Sequence, residues 1–410
     1  MENPVWRPTA RRTDLSLNGS GAFRHSFPEN GNRQRQASRS GIGRCRNGYA
    51  NAQADTLARR TPPLKLRLVS NYPLIFVNAP LPPAAALFSH VEMAPRDPIL
   101  GVNESFNADS NPNKVNLGVG VYTDEAGKIP VLECVKRAEV AMAEKPAPRG
   151  YLPIDGIAAY DKATQALVFG AESAIVKENR AVTVQTLGGT GALKVGADFL
   201  KRVSPASVVY ISNPSWENHR ALFESAGFEV RDYAYYDAAT RSLDFPGFLA
   251  SVKAMPQGSI VVLHACCHNP TGCDLSPEQW AQVVQAVKTR HLVAFLDMAY
   301  QGFGEGIAED GAVIGQFLAS GVRFFVATSF SKSFSLYGER VGALSVVCGD
   351  KEETSRVLSQ LKIVIRTNYS NPPTFGAHVV ATVWACAVAK PAAAPTLGQH
   401  SATQFFSRHH

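Results

Sequence analysis

The feature that most constrains this chain is an alternation. From about Val115 onward, short apolar runs alternate with helix-like segments, the pattern of an α/β fold in which a mainly parallel sheet is flanked by helices. Candidate strands are 208–212, 259–267, 292–298, 323–329 and 343–348. Between the second and third lies a strongly signalled helix. Ser276 suits its N-cap, Pro277 its first helical position and Gln279 the reciprocal capping-box position. Trp280, Val283, Val284 and Val287 then form one apolar stripe.

An open parallel sheet binds ligands beyond the carboxyl ends of its strands, and the chemically unusual residues fall there. Asn269 follows the run IVVLHACC, Asp297 and Tyr300 end LVAFLDMAY, and Ser329 and Lys332 end FFVATSFSK. Three successive strand ends therefore converge on one place.

Composition narrows the class further. A chain of 410 residues with 45% hydrophobic content can bury the cores of two domains. No stretch of about 18 uninterrupted apolar residues occurs, so no membrane-spanning helix is expected. The net charge of +7 invites a nucleic-acid role, yet it is unevenly placed. Residues 1–90 carry twelve Arg and Lys65 against Glu2, Asp14, Glu29 and Asp55, a net of +9, which leaves −2 for residues 91–410. The basicity belongs to the leader, and no nucleic-acid partner is expected for the body.

Seven cysteines, at 45, 134, 266, 267, 273, 348 and 386, are odd in number and lack framework spacing, which points to a reducing compartment and a cytoplasmic location. His264, Cys266, Cys267 and His268 stand too close together for ordinary zinc ligation, so core packing is their expected role and no metal is expected.

The chemistry centres on Lys332 in SFSKSFSLYGER. A lysine amine becomes a nucleophile, able to form a Schiff base, when burial or nearby positive charge lowers its pKa, and Arg340 can contribute such a field. A cofactor built on a pyridine ring needs a carboxylate at its ring nitrogen, and Asp297 is placed to provide one. Tyr300 and Asn269 can hydrogen-bond a ring oxygen. In LGGTGALKVGADFL, Gly188, Gly189 and Thr190 open a helix whose first amides suit a phosphate. The sequence there is not GxGxxG, so a nicotinamide-binding reading finds no fingerprint.

These residues lie in stretches that resemble class I aminotransferases of the bacterial aspartate and aromatic amino-acid type: VNLGVGVYTDEAGKIPVL, RGYLPIDG, GGTGAL, NPSWENH, HACCHNPTG, DMAYQGF, SFSKSFSLYGERVGAL and IRTNYSNPP. The resemblance runs from about Leu87 to about Ala385 and implies the type I fold of pyridoxal 5'-phosphate (PLP) enzymes. It implies that Lys332 forms the Schiff base with the cofactor and moves the α-carbon proton. Asp297 would partner the pyridine nitrogen with His219 behind it, Tyr300 and Asn269 the ring oxygen, and Trp216 would stack on the ring. Gly189, Thr190, Ser329 and Arg340 match the phosphate cradle, and Tyr151 resembles the tyrosine that reaches the phosphate from a neighbouring subunit. Arg366 matches the arginine that crosses the dimer interface to read a side-chain carboxylate, and Gly120 lines the substrate site. The resemblance thus implies a homodimer that transfers an amino group between aspartate or an aromatic amino acid and a 2-oxo acid, 2-oxoglutarate.

The resemblance is not continuous to the ends. Residues 1–86 are rich in Arg, Ser, Asn, Gly and Pro without a sustained period, and are expected to be disordered and foreign to the body. Residues 386–410, beginning CAVAKPAAAP, resemble no part of the family, so the small domain is expected to be incomplete. No residue matches the arginine that would pair with the substrate's α-carboxylate. The alternative expectation is accordingly a truncated PLP-binding fragment with little or no activity.

Overall fold

A computed structural model describes residues 88–94, 98–116, 120–124 and 127–389, and the account below concerns the unit that begins at Glu92. Disorder is expected for the leader 1–86 and the tail 386–410; the leader and residues 390–410 lie outside the described residues, while 386–389 are helical instead.

The strands are β1 (Ala181–Leu187), β2 (Val208–Asn213), β3 (Glu229–Ala234), the short β4 (Tyr236–Asp237) and β5 (Ser242–Leu243), β6 (Ile260–His264), β7 (Val293–Met298), β8 (Phe324–Ser329) and β9 (Val341–Val347). The helices are α1 (Pro98–Ala108), α2 (Glu133–Glu144), α3 (Ala158–Phe169), α4 (Ala174–Lys177), α5 (Gly188–Val203), α6 (Glu217–Ser225), α7 (Phe245–Ala254), α8 (Pro277–Thr289), α9 (Ile307–Asp310), α10 (Ala312–Ser320), α11 (Lys351–Asn368) and α12 (Phe375–Ala389).

The main sheet has the order β1-β9-β8-β7-β6-β2-β3. β8, β7, β6, β2 and β3 run parallel, while β9 is antiparallel to both β8 and β1. The carboxyl ends of β1, β8, β7, β6 and β2 therefore open on one edge, where β9 begins. Both faces are covered, as a mainly parallel sheet requires. Val261, Leu263 and Leu296 pack against α7, α8 and α10, while Ile260, Val262 and Phe295 pack against α5, α6 and α11. α5 can lie this close because Gly196 is bare: a Cβ there would come within 2.5 Å of Phe295 Cζ.

α8 starts as its sequence dictates. Ser276 Oγ accepts from the Gln279 amide, the Gln279 side chain accepts from the Ser276 amide, and Pro277 occupies the first turn. The expected strand over 259–267 is shorter, however, and stops at His264. Ala265 and Cys266 remain buried, so the apolar run continues after the backbone has left the ladder and Cys267 has turned to a φ of 49°. β1 and β3 were not among the candidate strands. α12 extends to Ala389, four residues past the boundary drawn at 385.

Asp161, in the first turn of α3, provides a stability test. One of its carboxyl oxygens is buried without a partner among the described residues. Burial, followed by the negative charge of Asp155, raises its pKa to about 9. The folded chain thus holds a proton there that the unfolded chain releases near pH 4, so stability falls as pH rises from about 4 towards 9. Asp161→Asn removes the titration. Its melting temperature at pH 8 is expected to rise by an amount equivalent to about 1–2 kcal/mol, with no gain at pH 4, as checked by thermal melts at both values.

Candidate active site

The edge where these strands end gathers most of the expected residues. β7 carries Asp297 at its end, 6% exposed, and its carboxylate lies 2.9 Å from His219 Nε2. His219 comes from α6, which follows β2, and is fully buried. The Ser215 hydroxyl, 2.9 Å from His219 Nδ1, can donate to that nitrogen and leave Nε2–H to donate to Asp297. Trp216, at the start of α6, meets His219 edge to face, with centroids 5.2 Å apart.

Two residues past β7, Tyr300 presents its ring to Lys332, whose Nζ stands 4.8 Å from the ring centroid. Burial lowers the Lys332 pKa below the ordinary lysine range, the Asp297 charge opposes this, and Arg340 reinforces it. The amine is therefore easier to deprotonate than a solvated lysine, as a nucleophile requires. Tyr300 shifts the other way: burial, then Asp297, push its hydroxyl up to about 12, so it remains a proton donor at neutral pH. Gly120 belongs to the same surface, since a Cβ there would lie 3.9 Å from the Tyr300 hydroxyl.

The third component is an anion cradle. β1 ends at Leu187 and α5 begins at once, with no side chain capping its first amides. Gly188 has a φ of +70°, and a Cβ on it would meet Arg340 Nη2 at 2.7 Å; a Cβ on Gly189 would meet Ser329 Cβ at 3.0 Å. Bare backbone, a buried hydroxyl and a guanidinium thus surround a helix N-terminus whose dipole favours an anion. Thr190 lies in the same first turn. Arg340 is fixed in a left-handed conformation at a φ of 53° and donates to the Tyr337 carbonyl at 2.9 Å. Replacing Gly188 with Ala is expected to strain the backbone by about 1–3 kcal/mol and push Arg340 aside. Phosphate-bearing cofactor should then be retained at least tenfold less tightly, as measured by equilibrium dialysis.

Asn269 sits half-buried in the loop after β6. That loop is braced by Asp274, Tyr235 and Ser212, which the sequence did not single out, acting on Cys267 and His268. The Asp274 carboxylate accepts from the amides of Cys267 at 2.6 Å and His268 at 2.8 Å. The His268 ring stacks on Tyr235 with centroids 3.9 Å apart and hydrogen-bonds Ser212. Tyr337 likewise ties the Gly120 segment to the Lys332 loop by accepting from the Tyr122 amide at 3.0 Å.

Two expected residues are not brought into this cluster. Tyr151 is 96% exposed, and Arg366, in the last turn of α11, is exposed and donates to the Ser370 hydroxyl. Metal-type groupings occur at His219–His264–Asp297 and Cys266–Cys267–Asp310, but both carboxylates are already engaged. Asp297 pairs with His219, while Asp310 accepts from the amides of Gly302, Gly304 and Glu305. Burial and the neighbouring His219 and His268 rings push the His264 pKa down, consistent with a core histidine.

Fold and site together define an enzyme of the PLP-dependent type I fold, with pyridoxal phosphate as its cofactor. A profile of the family "Aminotransferase class I and II" matches residues 112–387, and the chain belongs to that family. It is 63% identical over 298 residues to an aspartate aminotransferase of Pseudomonas aeruginosa, covering 73% of this chain and 75% of that protein. It is 51% identical over 298 residues to an aromatic-amino-acid aminotransferase of Escherichia coli, covering 72% and 75%. Among solved structures, an aromatic-amino-acid aminotransferase from Burkholderia pseudomallei covalently bound to pyridoxal phosphate is similar, with a TM-score of 0.74 and 62% identity, covering 76% of this chain and 78% of that one. Among the described residues no helix is long and apolar enough to cross a membrane.

Proposed function

We propose that the chain catalyses transamination between aspartate or an aromatic amino acid and 2-oxoglutarate, with Lys332 as the covalent anchor of the cofactor. The observation that carries this reading is the convergence, on one sheet edge, of a lysine with a lowered pKa, a buried Asp297–His219 pair and a glycine-opened cradle with Arg340. Bound there, pyridoxal phosphate supplies a ring that accepts the electrons released at the substrate's α-carbon.

The protein residues divide the remaining work. Gly189, Thr190, Ser329 and Arg340 hold the phosphate. Asp297, oriented by His219, keeps a negative charge at the pyridine nitrogen, and Trp216 offers a flat apolar face. Tyr300 and Asn269 donate to the ring oxygen. The Lys332 amine takes the proton from the α-carbon and returns it, while Gly120 leaves room for substrate beside Tyr300.

Tyr151 and Arg366 act across a homodimer interface in this reading, which accounts for two chemistry-bearing side chains exposed away from their own cluster. The aminotransferase unit spans 87–385. A cytoplasmic location accords with free thiols at Cys134, Cys266, Cys267, Cys273, Cys348 and Cys386.

The test is steady-state kinetics with 2-oxoglutarate and aspartate, tyrosine or phenylalanine, following oxaloacetate or the aromatic oxo acid. Arg366→Ala removes a planar fork suited to a carboxylate. It is expected to lower kcat/KM for aspartate about 10- to 100-fold while changing phenylalanine turnover less than threefold. An equal loss for both substrates would reject Arg366 as the side-chain reader.

A further inference from the structure

Tyr151 and Arg366, exposed away from the cluster, are far apart in sequence yet tied together inside one chain. The tie is Gln185, within β1 and 1% exposed, whose side chain serves both segments at once. Its backbone amide donates to the Asp155 carbonyl at 2.9 Å, and its Oε1 accepts from the Ile157 amide at 3.2 Å. Both partners belong to the turn that runs from Tyr151 into α3. Its Nε2 donates to the Pro373 carbonyl at 2.6 Å, three residues after Ser370, which accepts from Arg366 at the end of α11.

The fit is close on the Tyr151 side. Gly156 has a φ of +107°, and a Cβ there would collide with the Gln185 side chain. A second tie runs along the outside. Lys362 Nζ pairs with Asp155 Oδ2 at 3.0 Å, and Lys362 lies one helical turn before Arg366 on the same face of α11. That pair is partly exposed and weak by itself. Gln185 is the stronger tie, because its loss strips a partly buried amide and a partly buried carbonyl of their partner.

We propose that Gln185 is a positioning residue that holds the Tyr151 turn and the Arg366 end of α11 at a fixed spacing, so that both reach the neighbouring subunit's site as one unit. The inference rests on the reading that these two side chains act across a homodimer interface. Its consequence is directional: loosening Gln185 in one chain degrades the partner's site and spares its own. A merely structural role acts the other way, since Gln185 stands three residues before Gly188 and would disturb the cradle of its own chain.

Mixed dimers loaded with pyridoxal phosphate, purified through two different affinity tags, separate the two. In the first pairing a Gln185→Met chain joins a Lys332→Ala chain, so the working lysine receives Tyr151 and Arg366 from a chain with native Gln185. In the second, a chain carrying both substitutions joins a native chain, whose lysine receives Tyr151 and Arg366 from the altered one. The KM for aspartate is expected to be native in the first pairing and raised about tenfold in the second, with the KM for phenylalanine nearly unmoved in both. A rise in the first pairing, or in neither, overturns the proposal. In the Gln185→Met homodimer, pyridoxal phosphate should be held about fivefold less tightly by equilibrium dialysis, because Tyr151 is released together with Arg366; native retention overturns the coupling. Arg366→Ala in the same two pairings tests the underlying reading. If it raises the aspartate KM in the second pairing and Gln185→Met does not, the proposal alone falls; if it does not, the interface reading falls and takes the proposal with it. Should Gln185→Met fail to fold, Gln185→Asn, one methylene too short to reach both partners, decides in the same pairings.

Discussion

Replacing Lys332 with Ala is expected to abolish covalent retention of the cofactor and to lower transamination by at least about 10⁴-fold, the upper range for removing a positioned acid–base group. On the proposed reading two independent functions are lost with one amine, which would be both the attachment point and the base at the α-carbon. Its suitability follows from its surroundings: burial lowers its pKa, Asp297 raises it and Arg340 lowers it again. Lys332→Arg is the sharper control, because a guanidinium keeps the charge yet stays protonated and cannot act as a nucleophile. Borohydride reduction followed by intact mass should add one cofactor to the native chain at Lys332 and none to either variant. An adduct on another lysine, or activity within tenfold of the native chain, would remove Lys332 from its role.

Some of this was legible because the signals are local. The start of α8 could be read from Ser276, Pro277 and Gln279, all within four residues, and the capping box is formed as read. The placing of Asp297 and Lys332 at neighbouring strand ends could be read because each closes a short apolar run, and β7 and β8 do pair in parallel.

What could not be read depends on partners distant in sequence. Ser212 and His268 are 56 residues apart, and Tyr337 lies 215 residues from the Tyr122 amide it accepts from. The end of β6 was misjudged for a related reason. Burial of Ala265 and Cys266 belongs to the packed core, whereas strand geometry ends at His264, and hydrophobicity alone reports only burial. β3 escaped because it is an edge strand, Glu229–Ala234, with mostly exposed positions and no apolar run.

Asp297→Asn tests the electrostatic half of the site without altering its shape. The carboxylate is nearly buried and hydrogen-bonded to His219, so an amide can occupy the same space, but the negative charge that the proposed reading sets against the pyridine nitrogen is gone. Loss of one preorganised electrostatic partner in a site of low dielectric lowers turnover by about 10²–10³-fold, and kcat/KM is expected to fall by on the order of 10³-fold. The pH response carries a sign that packing loss does not mimic. Asp297 holds the Lys332 pKa up and Arg340 holds it down, so the pH at which Lys332 loses its proton should fall in Asp297→Asn and rise in Arg340→Gln. His219→Asn, which leaves the charge but removes its orienting partner, should cost less turnover and leave that midpoint nearer the native value. If Asp297→Asn lost activity with the Lys332 midpoint unmoved, the residue would be acting through structure, and the pairing of charge with pyridine nitrogen would have to be assigned elsewhere.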